Sequence, residues 1–373
     1  MHACLPSLSM PESLNYIAAF LTLDCNLNCT YCINDPEQGG HRRDAFRNPR
    51  AVLAPEDWIR GLTRIPFHDD LPITLQGGEP MLYRGLGELL AGLPHHFDLL
   101  TNFAPRPEQF ARAIGGAHGK LMREAPYPSI RVSYHPEEME RAWKGRGFEE
   151  LVDRCAALAD FGFRVSSVKA ESDVGIYMVA HPDNVVTPRM EAAFGGRVPF
   201  ETKEFLGMRE GQLYGTYLYP FSTHLVAAGI HAQTLNCECR TSELLIDPLG
   251  FVWGCHFHLY ESWKLGTAER AFPALKTAGF HYRPGGLFPG QAIRPVGHIL
   301  DPEFSMDALG EFRACPHYGR CIGCDTKVKN NRFQSLDDLN IAHTSVEIRN
   351  IEMPPELLDR PEILPHHRRY LKP

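Results

Sequence analysis

The chain has 373 residues, with 43% hydrophobic and 22% charged residues, enough apolar material for a large core and more than one unit. Its net charge of −7, from 45 acidic against 38 basic residues, argues against broad nucleic-acid binding. Its longest N-terminal apolar run, residues 16–23, is too short to span a bilayer. No charged, apolar, cleavable leader precedes it.

In chain order, residues 1–13 read as a leader, and Cys4 has no assigned role. Residues 16–23 are rich in β-branched and aromatic side chains and read as a buried strand. It runs directly into Cys25-Asn26-Leu27-Asn28-Cys29-Thr30-Tyr31-Cys32, three cysteines at C-x3-C-x2-C spacing. A loop this short can present three thiolates to one compact inorganic centre. Four is the usual number for an iron–sulfur cubane, so one iron would remain open. Zinc is the alternative, although its sites favour paired C-x2-C units. Residues 33–53 read as a polar loop, either a lid over the thiols or a solvated insertion.

A helix is expected from residue 55, with proline and acids in its first turn. A second strand, 71–76, leads straight into Gly77-Gly78-Glu79-Pro80. Two glycines allow a close backbone approach, and a glutamate offers a charge-assisted acceptor. The expected order continues with helix 83–93, strand 97–102, helix 107–114, strand 129–134 and a long helix 136–161. Cys155 falls on the apolar face of that helix and reads as core. Strand 176–180, helix 187–194 and strand 199–205 complete the series. Strands alternating with helices imply parallel pairing through crossover connections. Chemistry would then gather at the C-terminal strand ends. Asn102, Ser133 and His135 lie there, as ligand contacts or as ordinary turn formers.

After residue 235 the composition changes. Cys237-Glu238-Cys239 precedes two apolar strands joined by Asp247-Pro248-Leu249-Gly250, a β-hairpin pattern that ends at Cys255. Cys315, Cys321 and Cys324 follow downstream. Nine of the 11 cysteines fall in three groups, which is ligand behaviour rather than a disulfide framework. Thiolate ligands need a reducing compartment, so a cytoplasmic location is expected. Residues 331–373, with several prolines, read as an extended tail.

The C-x3-C-x-aromatic-C motif, with Tyr31 at the aromatic position, and the Gly77-Gly78-Glu79-Pro80 motif about forty-five residues on together resemble the radical S-adenosylmethionine (SAM) superfamily. That resemblance implies an α/β fold, a partial (β/α)6 barrel of parallel strands over residues 14–230. It implies a [4Fe–4S] cluster on Cys25, Cys29 and Cys32, with SAM on the fourth iron. SAM would be held with the help of Tyr31, Gly77, Gly78, Glu79, Pro80, Asn102 and Ser133. The pattern C-x10-G-x4-C from Cys239 to Cys255 resembles the SPASM and twitch extensions of that superfamily. It implies a smaller Cys-rich α+β extension over 231–330 with at least one auxiliary [4Fe–4S] cluster. Cys239, Cys255, Cys321 and Cys324 are the favoured ligands, with Cys237 and Cys315 as spares, alternates or ligands of a second cluster; a zinc knuckle is the alternative. In some SPASM enzymes an acid follows the cysteine corresponding to Cys255, and here His256 stands there as a candidate catalytic base, with His258 two residues on. His317 is a further, less favoured ligand candidate.

The resemblance implies reductive cleavage of SAM to a 5′-deoxyadenosyl radical, fed by a flavodoxin- or ferredoxin-type one-electron reductant. Maturation of a ribosomal peptide is the expected use. Only twenty-four residues precede Cys25, which leaves no N-terminal peptide-recognition domain in this stretch. Radical oxidation or epimerisation of a small molecule such as a sugar or cyclitol is the second possibility. A non-catalytic iron–sulfur or zinc scaffold is the third.

Overall fold

The computed structural model describes residues 5–10, 14–29, 52–121, 125–194, 196–205, 207–209, 212–214, 235–241, 243–256, 258–259, 295–318, 346–352 and 355. The apolar runs of the first half form β1 Tyr16–Thr22, β2 Ile73–Gly77, β3 Phe97–Thr101, β4 Ile130–Tyr134, β5 Val174–Ala180 and β6 Phe200–Glu204. All six pair in parallel and in chain order, as the alternation of strands and helices predicts. Parallel neighbours cannot be joined by tight turns. The connections carry α1 Pro55–Leu62, α2 Leu86–Gly92, α3 Pro107–Ile114, α4 Pro136–Ala142, α5 Gly147–Ala156 and α6 Pro188–Phe194. Proline opens α1, α3, α4 and α6, where its missing N–H costs no helix bond.

The helix expected over 136–161 is broken. Lys144 (φ 51°) and Gly145 (φ 79°) take left-handed conformations, and the Gly145 N–H bonds to the Glu140 carbonyl. The Glu140 carboxylate then caps α5, accepting from the N–H groups of Gly147 (3.1 Å) and Phe148 (3.0 Å). Strict 3.6-residue spacing of apolar residues missed this because both halves keep their apolar faces on the same core.

The sheet separates two environments. Ile17, Ala19 and Leu21 of β1, with Leu75, Leu99, Val132 and Ile176, pack against Trp58, Leu89 and Phe110 of the helices. Cys155 is fully buried there, and burial pushes its thiol pKa up, as a core cysteine requires. The alternate residues Ala18 and Phe20 form a second cluster with Leu245, Phe251 and Trp253. On that same sheet, buried Arg131 and Asp98 pair across β4 and β3 at 3.2 Å.

One later segment, the hairpin, joins this sheet. β9 Leu235–Thr241 is followed by the expected hairpin, β10 Glu243–Ile246 and β11 Phe251–Trp253. The Asp247 carboxylate builds its turn, accepting from the N–H groups of Leu249 and Phe251 and from Trp253 Nε1. β10 pairs in parallel with β1, Tyr16 opposite Glu243, and β12 Gly297–His298 pairs with β11. Among the described residues the sheet therefore has nine strands, with the hairpin on the open edge of β1. β9 leaves the sheet and pairs antiparallel with β13 Arg313–Tyr318 and β14 Val346–Glu352. Residues 346–352, expected as extended tail, are thus a sheet strand. β7 Gly207–Arg209 and β8 Gln212–Tyr214 form a small antiparallel pair. Among the described residues no helix is long and apolar enough to cross a membrane.

Arg64 ties the ends of this arrangement together. Its buried guanidinium donates to the carbonyls of Pro6 (2.8 Å), Ile299 (2.7 Å) and Asp301 (2.7 Å). Removing the guanidinium takes a donor from each carbonyl; Asp301 O keeps the Phe304 N–H at 3.1 Å, but the others lose theirs, and a buried acceptor left unmade is costly. Arg64→Met should lower unfolding stability by about 3 kcal/mol, measured by chemical denaturation, whereas substitution of exposed Arg112 should change it by less than about 0.5 kcal/mol.

Candidate functional site

The chain leaves β1 through Thr22, whose hydroxyl accepts the Asp24 N–H at 3.1 Å. The turn after β2 lies directly against this exit. Gly78 N–H donates to Thr22 O at 2.8 Å and Glu79 N–H to Asp24 O at 2.7 Å. A Cβ on Gly77 would stand 2.1 Å from Thr22 O, and one on Gly78 2.2 Å from Asp24 O. Gly77 also has φ 141°. The glycine pair is therefore required by contact between two pieces of the chain itself, β2's exit and the thiol loop. The sequence suggested only an approach to a ligand.

Glu79 is wholly buried. One carboxylate oxygen accepts from the Thr101 hydroxyl (2.7 Å) and Met81 N–H (3.0 Å), the other from Asn102 N–H (2.6 Å). It fastens the end of β2 to the end of β3. Burial raises its pKa to about 7 against the pull of those donors. The sequence suggested an acceptor for a ligand ammonium; in the structure Glu79 also holds three internal donors. Pro80 opens the single 3₁₀ turn that follows, Pro80–Leu82.

Asn102, at the end of β3, points its amide at the thiol loop. Nδ2 donates to Asn26 Oδ1 at 2.8 Å and lies 3.7 Å from Cys25 Sγ. Its Oδ1 is buried with no hydrogen-bond partner among the described residues. The Cys25 sulfur also accepts the Leu27 N–H at 3.4 Å. From the far side, Glu138 of α4 accepts the Asn28 N–H at 2.8 Å. Cys25 and Cys29 are partly buried. Ser133 sits near the end of β4, opposite Tyr177 of β5. His135 precedes α4 without a side-chain capping bond, and burial lowers its imidazole pKa to about 4, which keeps it neutral. Tyr31 and Cys32 lie outside the described residues, as does the polar loop 33–51.

The second thiol group gathers on β9 and β13. Cys237 and Cys239 share one face of β9, and Cys315 stands opposite Cys237 in register. Hydrogen bonds from Cys237, Cys239 and His258 lower the Cys315 thiol pKa well below the ordinary thiol range. Cys239, Cys255 and His258 line one cavity together with Thr241 and Trp253. Among the described residues no three His, Cys, Asp or Glu side chains are arranged as a ready metal site. Cys321 and Cys324 lie outside the described residues. Cys237 and Cys315, for which spare, alternate-ligand and second-cluster roles were open on sequence grounds, lie beside Cys239.

His256 is buried against the Tyr16 and Phe20 rings of β1, with centroids at 6.1 and 6.2 Å. Its Nδ1 lies 3.4 Å from the fully buried Glu243 carboxylate. Sequence reasoning missed Glu138, a single acid whose partner is 110 residues away, and Glu243, which meets His256 only once the hairpin folds back.

No protein-family model matches the chain, and no curated protein matches it. Among solved structures, SuiB of Streptococcus suis aligns over 69% of this chain and 66% of its own, at 11% identity and TM-score 0.35. SuiB bound to precursor peptide SuiA aligns over 68% and 60%, at 12% identity and TM-score 0.33. SuiB bound to S-adenosylmethionine aligns over 67% and 61%, at 13% identity and TM-score 0.27. The chain spans less than two thirds of the length of these chains, and likenesses this loose assign it neither a reaction nor a substrate.

The Glu79 carboxyl makes a testable contribution. Its folded pKa, about 7, lies above the ordinary value of 4.5, so the folded state holds the extra proton between them. The associated stability is complete below about pH 4.5 and is lost as pH rises through about 7. Glu79→Gln should flatten the fall in thermal stability across that window. Asp247, raised to about 7 by burial, should retain its own part of the slope.

In the order and spacing of its two motifs, C-x3-C-x-aromatic-C and Gly77-Gly78-Glu79-Pro80, the chain resembles the radical S-adenosylmethionine superfamily.

Proposed function

We propose that the chain is a radical SAM enzyme. The observation that carries this is the backbone join between the two motifs: Gly78 and Glu79 donate to Thr22 and Asp24, so the glycine turn and the thiol loop form one surface at the C-terminal strand ends. The donor set suits a [4Fe–4S] cluster. The Cys25 sulfur already takes hydrogen-bond donors, as a thiolate ligand would, and Cys25 and Cys29 share one short loop, to which Cys32 would add the third thiolate. When bound, the cluster and SAM supply an electron transfer that cleaves SAM to methionine and a 5′-deoxyadenosyl radical able to take hydrogen from an unactivated carbon.

The chain's own residues hold and shield. Glu79, engaged by Thr101, Met81 and Asn102, fixes the turn, and Gly77, Gly78, Glu79 and Pro80 are the proposed contacts of the SAM amino group, with Glu79 its charge-assisted acceptor. Asn102 Oδ1, buried and unpartnered among the described residues, is a candidate acceptor for the same ligand, with Tyr31 and Ser133 as further contacts. Cys237, Cys239, Cys255 and Cys315, with Cys321 and Cys324, supply thiols for at least one auxiliary cluster. The juxtaposition of the first four supports this part of the reading. An auxiliary cluster suits net oxidation, since it can accept the electron left on a substrate radical. The proposed substrate is a ribosomal peptide, oxidised, cross-linked or epimerised, and the proposed reductant is a flavodoxin or ferredoxin. His256, held by Glu243, is the proposed base.

Anaerobically reconstituted protein with dithionite and SAM should form 5′-deoxyadenosine, and a Cys25/Cys29/Cys32→Ala variant should form none. Absence of product from the parent, with iron bound, would favour the scaffold reading. Mass spectrometry of a short peptide co-expressed from an adjacent gene should show loss of hydrogen or a new cross-link. An unchanged peptide alongside a changed sugar or cyclitol would move the substrate to the small-molecule class.

A further inference from the structure

Three alternate residues of the thiol loop are each held by a different strand-end element. Asp24 O accepts the Glu79 N–H at 2.7 Å, after β2. Asn26 Oδ1 accepts from Asn102 Nδ2 at 2.8 Å, after β3. Asn28 N–H donates to Glu138 Oε2 at 2.8 Å, in the first turn of α4 after β4. The first two holds are made by neutral groups. The third is made by a carboxylate whose side chain is only 7% exposed, paired through its other oxygen with Arg141, which is 66% exposed.

An acid in a helix's first turn needs no further role when it is solvated. Glu138 differs because it is withdrawn from water and spends an oxygen on a backbone N–H 110 residues away, adjacent to Cys29. Burying a carboxylate is costly unless it is paired and hydrogen-bonded, and here both conditions are met by the loop and by Arg141. Groups that orient metal ligands in this way govern retention of the metal, and nearby charge sets the potential of an iron–sulfur centre.

We propose that Glu138 is a positioning residue for the Cys25–Cys29 loop, fixing its backbone at Asn28 and, with Arg141, setting the charge beside whatever iron–sulfur centre the loop holds. This rests on the reading of the loop as a cluster site. Removing the acceptor should loosen the loop. Neutralising the acid while keeping an acceptor should leave the loop in place but change the field around it. Removing Arg141 should change that field in the opposite sense.

The test uses the full chain reconstituted anaerobically with iron and sulfide, in parent, Glu138→Ala, Glu138→Gln and Arg141→Ala forms. Readouts are iron per chain, the rate of iron loss to a chelator, and the midpoint potential of the reduced-cluster electron paramagnetic resonance signal. Glu138→Ala should lose iron roughly tenfold faster than the parent. Glu138→Gln should retain iron as the parent does, with its midpoint potential shifted upward. Arg141→Ala should shift the potential downward. Parent-like potentials in both charge variants, together with parent-like iron retention in Glu138→Ala, would overturn the proposal. If Glu138→Ala fails to fold, by circular dichroism, the two charge variants decide: opposite shifts support the proposal and unmoved potentials overturn it. A parent that binds no iron at all would instead sink the cluster reading itself, before any variant is compared.

Discussion

Everything at the candidate site depends on two backbone hydrogen bonds, from Gly78 to Thr22 and from Glu79 to Asp24. They bring the exits of β1 and β2 closer than any residue with a Cβ at 77 or 78 could allow. Backbone groups at strand ends have lost their ladder partners and must find others or be solvated. Here they find each other, and the thiol loop inherits the rigidity of the sheet beneath it. Glu79 extends the same logic sideways, satisfying the Asn102 N–H at the end of β3.

The described part of the loop, residues 24–29, is neither helix nor strand and is nevertheless fixed at several points. A short irregular segment normally pays in mobility for its freedom of shape. This one is bound by three adjacent elements that the parallel sheet brings to one edge. Asn102 and Glu138 meet it from two sides because β3 and β4 lie in register order beside β2. Sheet order, rather than any property of the cysteines, decides which side chains can reach them.

Much of this was legible from the residues in sequence, and the failures have physical causes. The strands of β1 to β6 announce themselves through local apolar runs, and parallel pairing follows from the helices between them. The turn at Asp247–Gly250 was legible because one carboxylate and one left-handed glycine build it locally. The break at Lys144 and Gly145 was signalled by glycines at 145 and 147 but masked by an unbroken apolar face. Pairing of Tyr16 with Glu243 could not be read, because no local pattern encodes which distant strand covers an edge. The reach of Glu138 to Asn28 was hidden for the same reason, since its first-turn position already explains an acid. At Glu79 the sequence showed an acid but not its internal partners, since Thr101 and Asn102 lie at the end of the next strand and no local pattern ties them to it.

The placement of β10 beside β1 bears on how the protein is made. A ribosome releases Tyr16–Thr22 long before it releases Glu243–Ile246, so one edge of the first strand emerges with its eventual neighbour still unsynthesised. That edge carries open amides and carbonyls next to apolar Ala18 and Phe20 for the whole interval. Sheet closure at this position is a late, long-range event, and until it occurs the open edge is a template for pairing with another nascent copy.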